Sequence, residues 1–463
     1  MTRMTKLGVV VAMGALVGLA PSAHGQASFR PRFTAQAPIP AAVGPAAGRQ
    51  AMALADVNAD QRPDLVAIAP DDDQVAVRLN DGSGGFAAAT SVDLQLTPTA
   101  VAVADVTSPF GGAAAGAPDG VPDLLIGGDL GELQILPGLG GGAFEDADAM
   151  DLDETFEIVG LAVGDFDGTA GADVAVLDVD GVMVLCNAAG VLAPCGTGGL
   201  LAVGDDPIEI VSGEFTGDGR ADLAVLDRVD QRVWPLLGSG DGNFTPGTAV
   251  NVAGEASSGE SVDLAVARMN DDALDDLVVV NYSDDFQFLG VTLLGTARGV
   301  FRSLAFVADF QASSLAVADF DGGDEGAADV IAGYADGGLT VNIGDGTGSL
   351  ADPFIPVGSN TVGAVALLLA GDLNGDAAPD LVALHDGGDS VRVLLNATAP
   401  FCAGDCNANG TVTIEELTRG VNILLGEADP RDCIALDVDG NQMVTVDELV
   451  RAVNGALEGC PAS

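Results

Sequence analysis

Basic residues are scarce in this chain. Its 463 residues include 17 Lys and Arg against 68 Asp and Glu, a formal net charge of -51. Such a surface repels phosphate backbones and anionic lipid, which excludes nucleic acid and membrane surfaces as partners and favours divalent cations. Lys6 is the only lysine, and after His24 the only histidine is His385. With Tyr282, Tyr334 and Trp234, these are few of the side chains that usually carry catalysis, and they form no His/Tyr/Arg cluster. His385, beside Asp386, reads as a surface residue in a turn. Paired carboxylates serve glycosidases, but among so many acids their adjacency carries no information. The chain therefore reads as non-catalytic, with a polysaccharide lyase or hydrolase as the alternative.

Aromatic residues are also few, 4% against 48% hydrophobic residues overall. Cores must be built from Val, Leu, Ile and Ala between flat surfaces, which suits sheets stacked on sheets. Long apolar runs are missing except from Leu7 to Ala20, which follows Arg3 and Lys6 and precedes Ala23-His24-Gly25. Residues 1–25 thus read as a secretory signal peptide, and nothing later is apolar over the roughly 18 residues a membrane span needs. The expectation is a secreted protein, extracellular or periplasmic. Its six cysteines fit export, because disulfides persist in oxidising compartments. Cys186 and Cys195 would clamp one hairpin. Cys402, Cys406, Cys433 and Cys460 allow three pairings, of which Cys402–Cys460 with Cys406–Cys433 would tie the ends of a terminal module together.

What is abundant is a nine-residue acidic loop. The copies Asp56 to Asp64 and Asp372 to Asp380 place oxygen side chains at positions 1, 3, 5 and 9: Asp56, Asn58, Asp60, Asp64 and Asp372, Asn374, Asp376, Asp380. Alternate residues of a tight turn can point inward together and supply the six to eight oxygens that Ca²⁺ takes. The third loop keeps Asp165, Asp167 and Asp173, with Thr169 at position 5. The fourth offers Glu214, Thr216, Asp218 and Asp222. The sixth keeps Asp319, Asp321 and Asp329, with Asp324 or Glu325 for the middle position. The second carries a Gly/Ala insertion between Asp105 and Asp119-Gly120-Val121-Pro122-Asp123. In the fifth, Arg268 replaces the first carboxylate ahead of Asn270, Asp272 and Asp276, and a guanidinium pairing with those residues would take the cation's place. The expected cofactor is several Ca²⁺ ions, none of them in the fifth loop.

Each loop lies between two apolar runs, and the loops recur with a period of roughly 50, as expected for four-stranded propeller blades. In the first unit the strands read as Ala51 to Ala55, Leu65 to Ala69, Gln74 to Leu79 and Phe86 to Leu94, the last following a Gly-rich turn. The seventh unit ends at Leu395 without a fourth strand. Phe29 to Ala37 reads as the missing strand, paired with Ser390 to Leu395, because closing the ring removes exposed edges. The fold class is mainly β, a seven-bladed propeller closed by the N-terminal strand. The loops and Gly-Phe turns resemble the FG-GAP or VCBS-type repeats of integrin α-subunit propellers and bacterial exported proteins, over residues 28–396. That resemblance implies adhesion or recognition of a protein or glycan.

Beyond a linker at 397–401 the pattern turns helical in residues 402–463. Asp405 to Glu416 matches the EF-hand loop, with Asp405, Asn407 and Asn409 at positions 1, 3 and 5, Gly410 at 6, Thr411 at 7 and Glu416 at 12. Asp437, Asp439, Asn441, Met443 and Glu448 repeat the set, with Gln442 in the glycine position. Helices follow, with Leu417, Val421, Leu424 and Leu425 on one face of the first and Leu449, Val450, Val453 and Leu457 on the second. The loops would pair through Ile414 and Val446 or through Val412 and Val444. The module resembles dockerin, a small α-helical paired EF-hand domain, which implies a cohesin-like or other protein partner. Glu at position 12 and Ile414-Glu415 and Val446-Asp447 at the usual recognition positions depart from that family.

Overall fold

The computed structural model describes residues 31, 33–40, 50–107, 118–146, 149–152, 157–169, 171–196, 199–253, 260–282, 289–296, 299–307, 312–322, 327–334, 337–351, 364–385, 390–396, 404–406, 411–428, 433, 435–436 and 443–458. The signal segment 1–25 lies outside them. Seven antiparallel sheets follow in chain order, and each begins with the strand that leads into an acidic loop. Those first strands are Met52–Ala55, Pro98–Ala104, Ile158–Gly164, Pro207–Gly213, Glu260–Ala267, Ala312–Ala318 and Val365–Gly371. Each contacts the first strand of the next blade, and the seventh contacts the first, so they form a closed hub. The molecule is mainly β, a seven-bladed propeller, with two α-helices among the described residues of the C-terminal module.

The second strand of each blade begins on the ninth loop residue, as in Asp64–Ala69 and Asp222–Asp227; it is buried from end to end in blades one, two, three, four and six, and in the seventh up to the half-buried His385. Packing on both faces explains why these strands read as continuous apolar runs rather than alternating ones. The cores lie between blades. Phe166, Leu177, Leu223 and Phe244 fill the seam of blades three and four, for example, and Phe215, Leu226, Leu264 and Leu277 that of four and five.

Ring closure follows the sequence reading. Phe33–Ala35 pairs antiparallel with Ser390–Asn396 in the register Phe33 with Asn396 and Ala35 with Leu394, and Ile39–Pro40 pairs further along the same strand. The first blade differs from its expected layout at its rim. Its fourth strand is Thr90–Asp93, and Phe86 makes only an isolated bridge with Asn80, because the Gly-rich turn occupies the intervening chain. Gly84 of that turn, at φ +80°, leaves the room that Leu395 of the seventh blade fills; a Cβ there would fall 2.4 Å from the leucine. Gly142, Gly299 and Gly348 receive Leu79, Leu237 and Leu294 of the preceding blade in the same manner, each at positive φ. In the third blade the Cys186–Cys195 disulfide takes the leucine's place beneath Gly242.

In the C-terminal module, Ile414–Leu424 and Val446–Glu458 are helices. The buried set is Val412, Ile423, Cys433, Leu436, Val444 and Ala452, and Cys406 is bonded to Cys433. Position 8 of each loop is therefore inward, whereas Ile414 and Val446 are exposed. The expected helix faces need correcting. Val421, Leu425, Val450, Val453 and Leu457 are exposed, because the inward face is the one that carries Glu416, Gly420 and Ile423 on the first helix and Glu448 and Ala452 on the second. Gly420 permits that approach, since a Cβ there would meet Leu436 at 2.8 Å and Leu449 at 2.9 Å. Cys402 and Cys460 lie outside the described residues.

Candidate metal centres

The ninth residue of every acidic loop does the same thing. Asp64, Asp123, Asp173, Asp222, Asp276, Asp329 and Asp380 are each fully buried. One oxygen accepts the backbone N–H of loop position 2, from Val57, Val106, Phe166, Phe215, Met269, Phe320 and Leu373, at 2.7–3.1 Å. The other accepts a backbone N–H at the end of the third strand, from Asn80, Gly138, Asn187, Gly238, Gly295, Gly344 and Asn396, at 2.7–2.9 Å. The aspartate thus ties loop to sheet in each blade, a role the spacing alone did not reveal. Its partner is always Asn or Gly, a recurrence visible in the sequence. The amides of Asn187 and Asn396 also donate to Val106 and Phe320 carbonyls of the preceding blade.

Positions 1, 3 and 5 wrap their oxygens around the turn. In the first loop Asp56 accepts from the N–H groups of Asp60 and Gln61, Asn58 from that of Asp60, and Asp60 from that of Arg62. The seventh loop repeats this with Asp372, Asn374 and Asp376. Such turns need a left-handed backbone, which Gly168, Gly217, Gly219 and Gly375 supply without strain, while Ala59, Gln61 and Ala377 adopt it at φ 62°, 67° and 68°.

The second loop closes in spite of its insertion. Asp119 and Gly120 donate to Asp105 at 3.0 and 2.6 Å, Val121 donates to Asp119, and Thr107 donates to Asp123, so Asp105, Thr107, Asp119 and Asp123 occupy positions 1, 3, 5 and 9. In the fourth loop Glu214 accepts the N–H groups of Thr216 and Gly217 and also one from Gly219. Arg62 and Arg220 reach back to Asp60 and Asp218 at 2.6 and 3.4 Å. In the sixth loop Asp319, Asp321 and Asp329 each bring an oxygen within 4.8 Å of the other two, a cluster that could hold a metal ion; Asp324 and Glu325 lie outside the described residues. Asp167 and Asp173 approach in the same way beside Cys186, but that sulfur belongs to a disulfide.

Burial pushes every one of the position-9 carboxyls up, to about 8 for Asp329, where Asp321 adds its repulsion, and to about 6 for Asp222, Asp276 and Asp380. A cation is the natural remedy for buried acids whose neighbours are also acids. The fifth loop is built differently from expectation. Arg268 reaches Asp275 at 3.3 Å, not Asn270, Asp272 or Asp276, and Asp275 in turn accepts the N–H of Glu214 in the fourth blade. The cation of this loop is thus spent on the seam between two blades.

In the terminal module Asp405, Glu416 and Glu448 are buried. Glu416 accepts the N–H and hydroxyl of Thr413 at 2.7 and 2.8 Å, a capping box, and Glu448 does the same with Thr445 at 2.7 and 2.9 Å. The two loops therefore end alike. Asn407, Asn409, Asp437, Asp439 and Asn441 lie outside the described residues. Thr411 and Met443 are described, each at position 7 of its loop.

Of the side chains considered for catalysis, Tyr334 is buried with its hydroxyl 2.6 Å from that of Thr340. His385 is not the exposed turn residue expected but the half-buried end of a second strand, its Nε2 shielded from solvent. Burial lowers its basicity, as does Arg392 nearby. Asp178 and Asp227 hold the same strand position and accept backbone N–H groups of the loops entering their own blades, from Glu157 and from Asp205 and Asp206.

The family description "FG-GAP-like repeat" matches residues 56–108, one period from the first acidic loop into the second. Among proteins of curated function, none matches this sequence. Among solved structures, BBS1N in complex with ARL6DN superposes with a TM-score of 0.54 at 14% identity, covering 80% of this chain and 99% of that one. The periplasmic gluconolactonase PpgL of Pseudomonas aeruginosa gives 0.47 at 16% identity, over 67% of this chain and 86% of that one. Sqt1 of Saccharomyces cerevisiae gives 0.46 at 14% identity, over 80% and 100%. The fold is thus a seven-bladed β-propeller in which the stretch from the first acidic loop into the second carries an FG-GAP-like repeat.

Proposed function

We propose that the chain is an exported, non-catalytic recognition scaffold, a propeller stapled by Ca²⁺ that binds a protein or glycan, with the C-terminal EF-hand pair docking a further protein. The carrying observation is the trio Asp319, Asp321 and Asp329, whose oxygens already converge and whose buried member is held far above the carboxylate range. An all-oxygen donor set of this kind suits a hard divalent cation. In the other loops Asp56, Asn58 and Asp60, Asp165 and Asp167, Glu214 and Asp218, and Asp372, Asn374 and Asp376 would hold the ion. Calcium would neutralise their mutual repulsion while the position-9 aspartates keep loop and sheet together. In the terminal module Asp405, Glu416 and Glu448 would serve, and a cohesin-like protein is one candidate partner.

Two disulfides among the described residues support an oxidising compartment, as the N-terminal segment does. The BBS1N structure is of a complex with ARL6DN, so a propeller of similar shape serves at least one protein as a binding platform. The burial of Tyr334 and the shielding of His385 support a role without catalysis. A glycan array run beside turnover assays on polyanionic polysaccharides tests this reading. Binding without depolymerisation is expected; depolymerisation that disappears in His385→Ala would establish the carbohydrate-active alternative instead.

A further inference from the structure

Four seams between blades are plugged by a leucine. Leu79, Leu237, Leu294 and Leu395 each stand one residue before the Asn or Gly whose N–H clamps the position-9 aspartate, and each fills the space left by a left-handed glycine in the turn of the next blade. Cys186 holds the same place before Asn187 in the third blade. There the plug is a pair of sulfurs: a Cβ on Gly242, at φ +77°, would stand 2.8 Å from the Sγ of Cys186 and 2.8 Å from that of Cys195. A hydrocarbon plug is permanent, whereas this one exists only while its S–S bond does.

The turn above this bond also rests on the third acidic loop. Gly242 donates its N–H to the carbonyl of Phe166 at 2.9 Å, and the ring of Phe244 meets that of Phe166 at 5.5 Å. Phe166 is position 2 of the loop, and its own N–H is held by Asp173, whose other oxygen holds the N–H of Asn187, next to Cys186. Turn, loop and disulfide are therefore joined in one circuit of bonds. The two sulfurs differ in access. Cys186 is 8% exposed, while Cys195 is half-buried beside a cleft lined by Met183, Leu201, Asn243 and Phe244. Exchange depends on which sulfur an incoming thiolate can reach, and here that sulfur is Cys195.

We propose that the Cys186–Cys195 disulfide is a thiol-sensitive latch on the seam of blades three and four, opened by a dithiol. A thiolate of the dithiol attacks Sγ of Cys195, and the electron pair of the S–S bond leaves on Cys186, which takes up a proton. The second thiol then displaces Cys195, so the dithiol is oxidised to its own disulfide and both cysteines end as thiols. Two thiols need more room than one disulfide. Cys195 already lies 3.6 and 3.9 Å from the carbonyls of Val184 and Gly242, so opening the bond displaces the turn from Phe166.

The folded full chain tests this in two steps. Glutathione followed by iodoacetamide and peptide mass spectrometry is expected to find glutathione on Cys195 and the alkyl group on Cys186. In dithiothreitol, hydrogen exchange is expected to speed up about tenfold at Gly242 and in residues 165–169, a local opening that leaves the seam at Phe215 and Phe301 unchanged. Cys186→Leu with Cys195→Ala installs the plug of the other blades and keeps the remaining cysteines, so it should protect Gly242 with and without dithiothreitol. The latch is overturned if glutathione is found on Cys186, if Gly242 of the wild type exchanges alike in both buffers, or if the double variant responds to dithiothreitol as the wild type does.

Discussion

Phe33 stands edge-on to Phe320 with ring centroids 5.9 Å apart and planes at 69°. The same meeting joins Phe166 to Phe244 at 5.5 Å and 72°, and Phe215 to Phe301 at 5.5 Å. In each case the residue at loop position 2 of one blade packs on the outer part of the next. Phe33, from the N-terminal strand, therefore occupies the place that a fourth strand of the seventh blade would provide. Truncating a buried phenylalanine removes both transfer energy and packing, so Phe33→Ala should cost about 3–5 kcal/mol. Urea unfolding would measure it, and a loss below about 1 kcal/mol would mean the strand does not close the ring.

The position-9 aspartates predict a second effect. Asp64→Ala strips the acceptor from two buried N–H groups, those of Val57 and Asn80. Each orphaned donor costs about 1–3 kcal/mol. The loss should appear in calcium-free buffer too, because the carboxylate ties loop to strand without the ion. A loss seen only with calcium present would make Asp64 a ligand and nothing more.

Much of this architecture was legible in the residues. Carboxylates at fixed spacing, the period of the loops and the Gly turns all act locally, so the blades and the closing strand could be read directly. Three features could not. The clamp on Asn80 or Gly138 runs to a backbone N–H, so the recurring Asn or Gly stands in the sequence without revealing the bond it makes. The second loop looked broken because an insertion in sequence need not separate its ends in space, and Asp105 with Asp119 shows that here. The helix faces misled because Glu416 and Glu448 are turned inward toward their own loops, a burial that hydropathy counts against.

Stability without metal should depend on pH in a particular direction. Asp222, Asp276 and Asp380 lie near 6 and Asp329 near 8 in the folded protein, above the usual 3.8. The folded state therefore holds more protons than the unfolded chain between about pH 4 and 8. Linkage then makes the metal-free protein gain stability as pH falls through that window. Thermal melts in EGTA at pH 5 and pH 8 check it, with the higher midpoint expected at pH 5. Saturating calcium, which favours ionised carboxylates, should reverse the order.

Ala59 is held at φ 62° with a Cβ that disfavours it. Ala59→Gly removes that strain at an already left-handed position, and a gain of about 1 kcal/mol is expected, reduced somewhat by the added freedom of the unfolded chain. Chemical denaturation decides the sign; a loss would mean the loop tolerates the alanine without strain.

If calcium staples the blades as proposed, the loops should differ in their capacity for it. Asp376→Ala should lower the number of calcium ions bound by one, whereas Asp272→Ala in the loop headed by Arg268 should leave it unchanged. Equilibrium dialysis followed by atomic emission gives both counts, and equal losses would show that the fifth loop binds as well.

On the proposed reading, the acidic loops are stable when they surround a divalent ion. The direct measurement is calorimetric melting of the full chain in EGTA, in magnesium and in calcium. Ions that bind only the folded state raise its stability, by about 2.7 kcal/mol for each site at a hundred times its dissociation constant. A large rise in midpoint is expected with calcium and little with magnesium. Identical midpoints in all three buffers would contradict it.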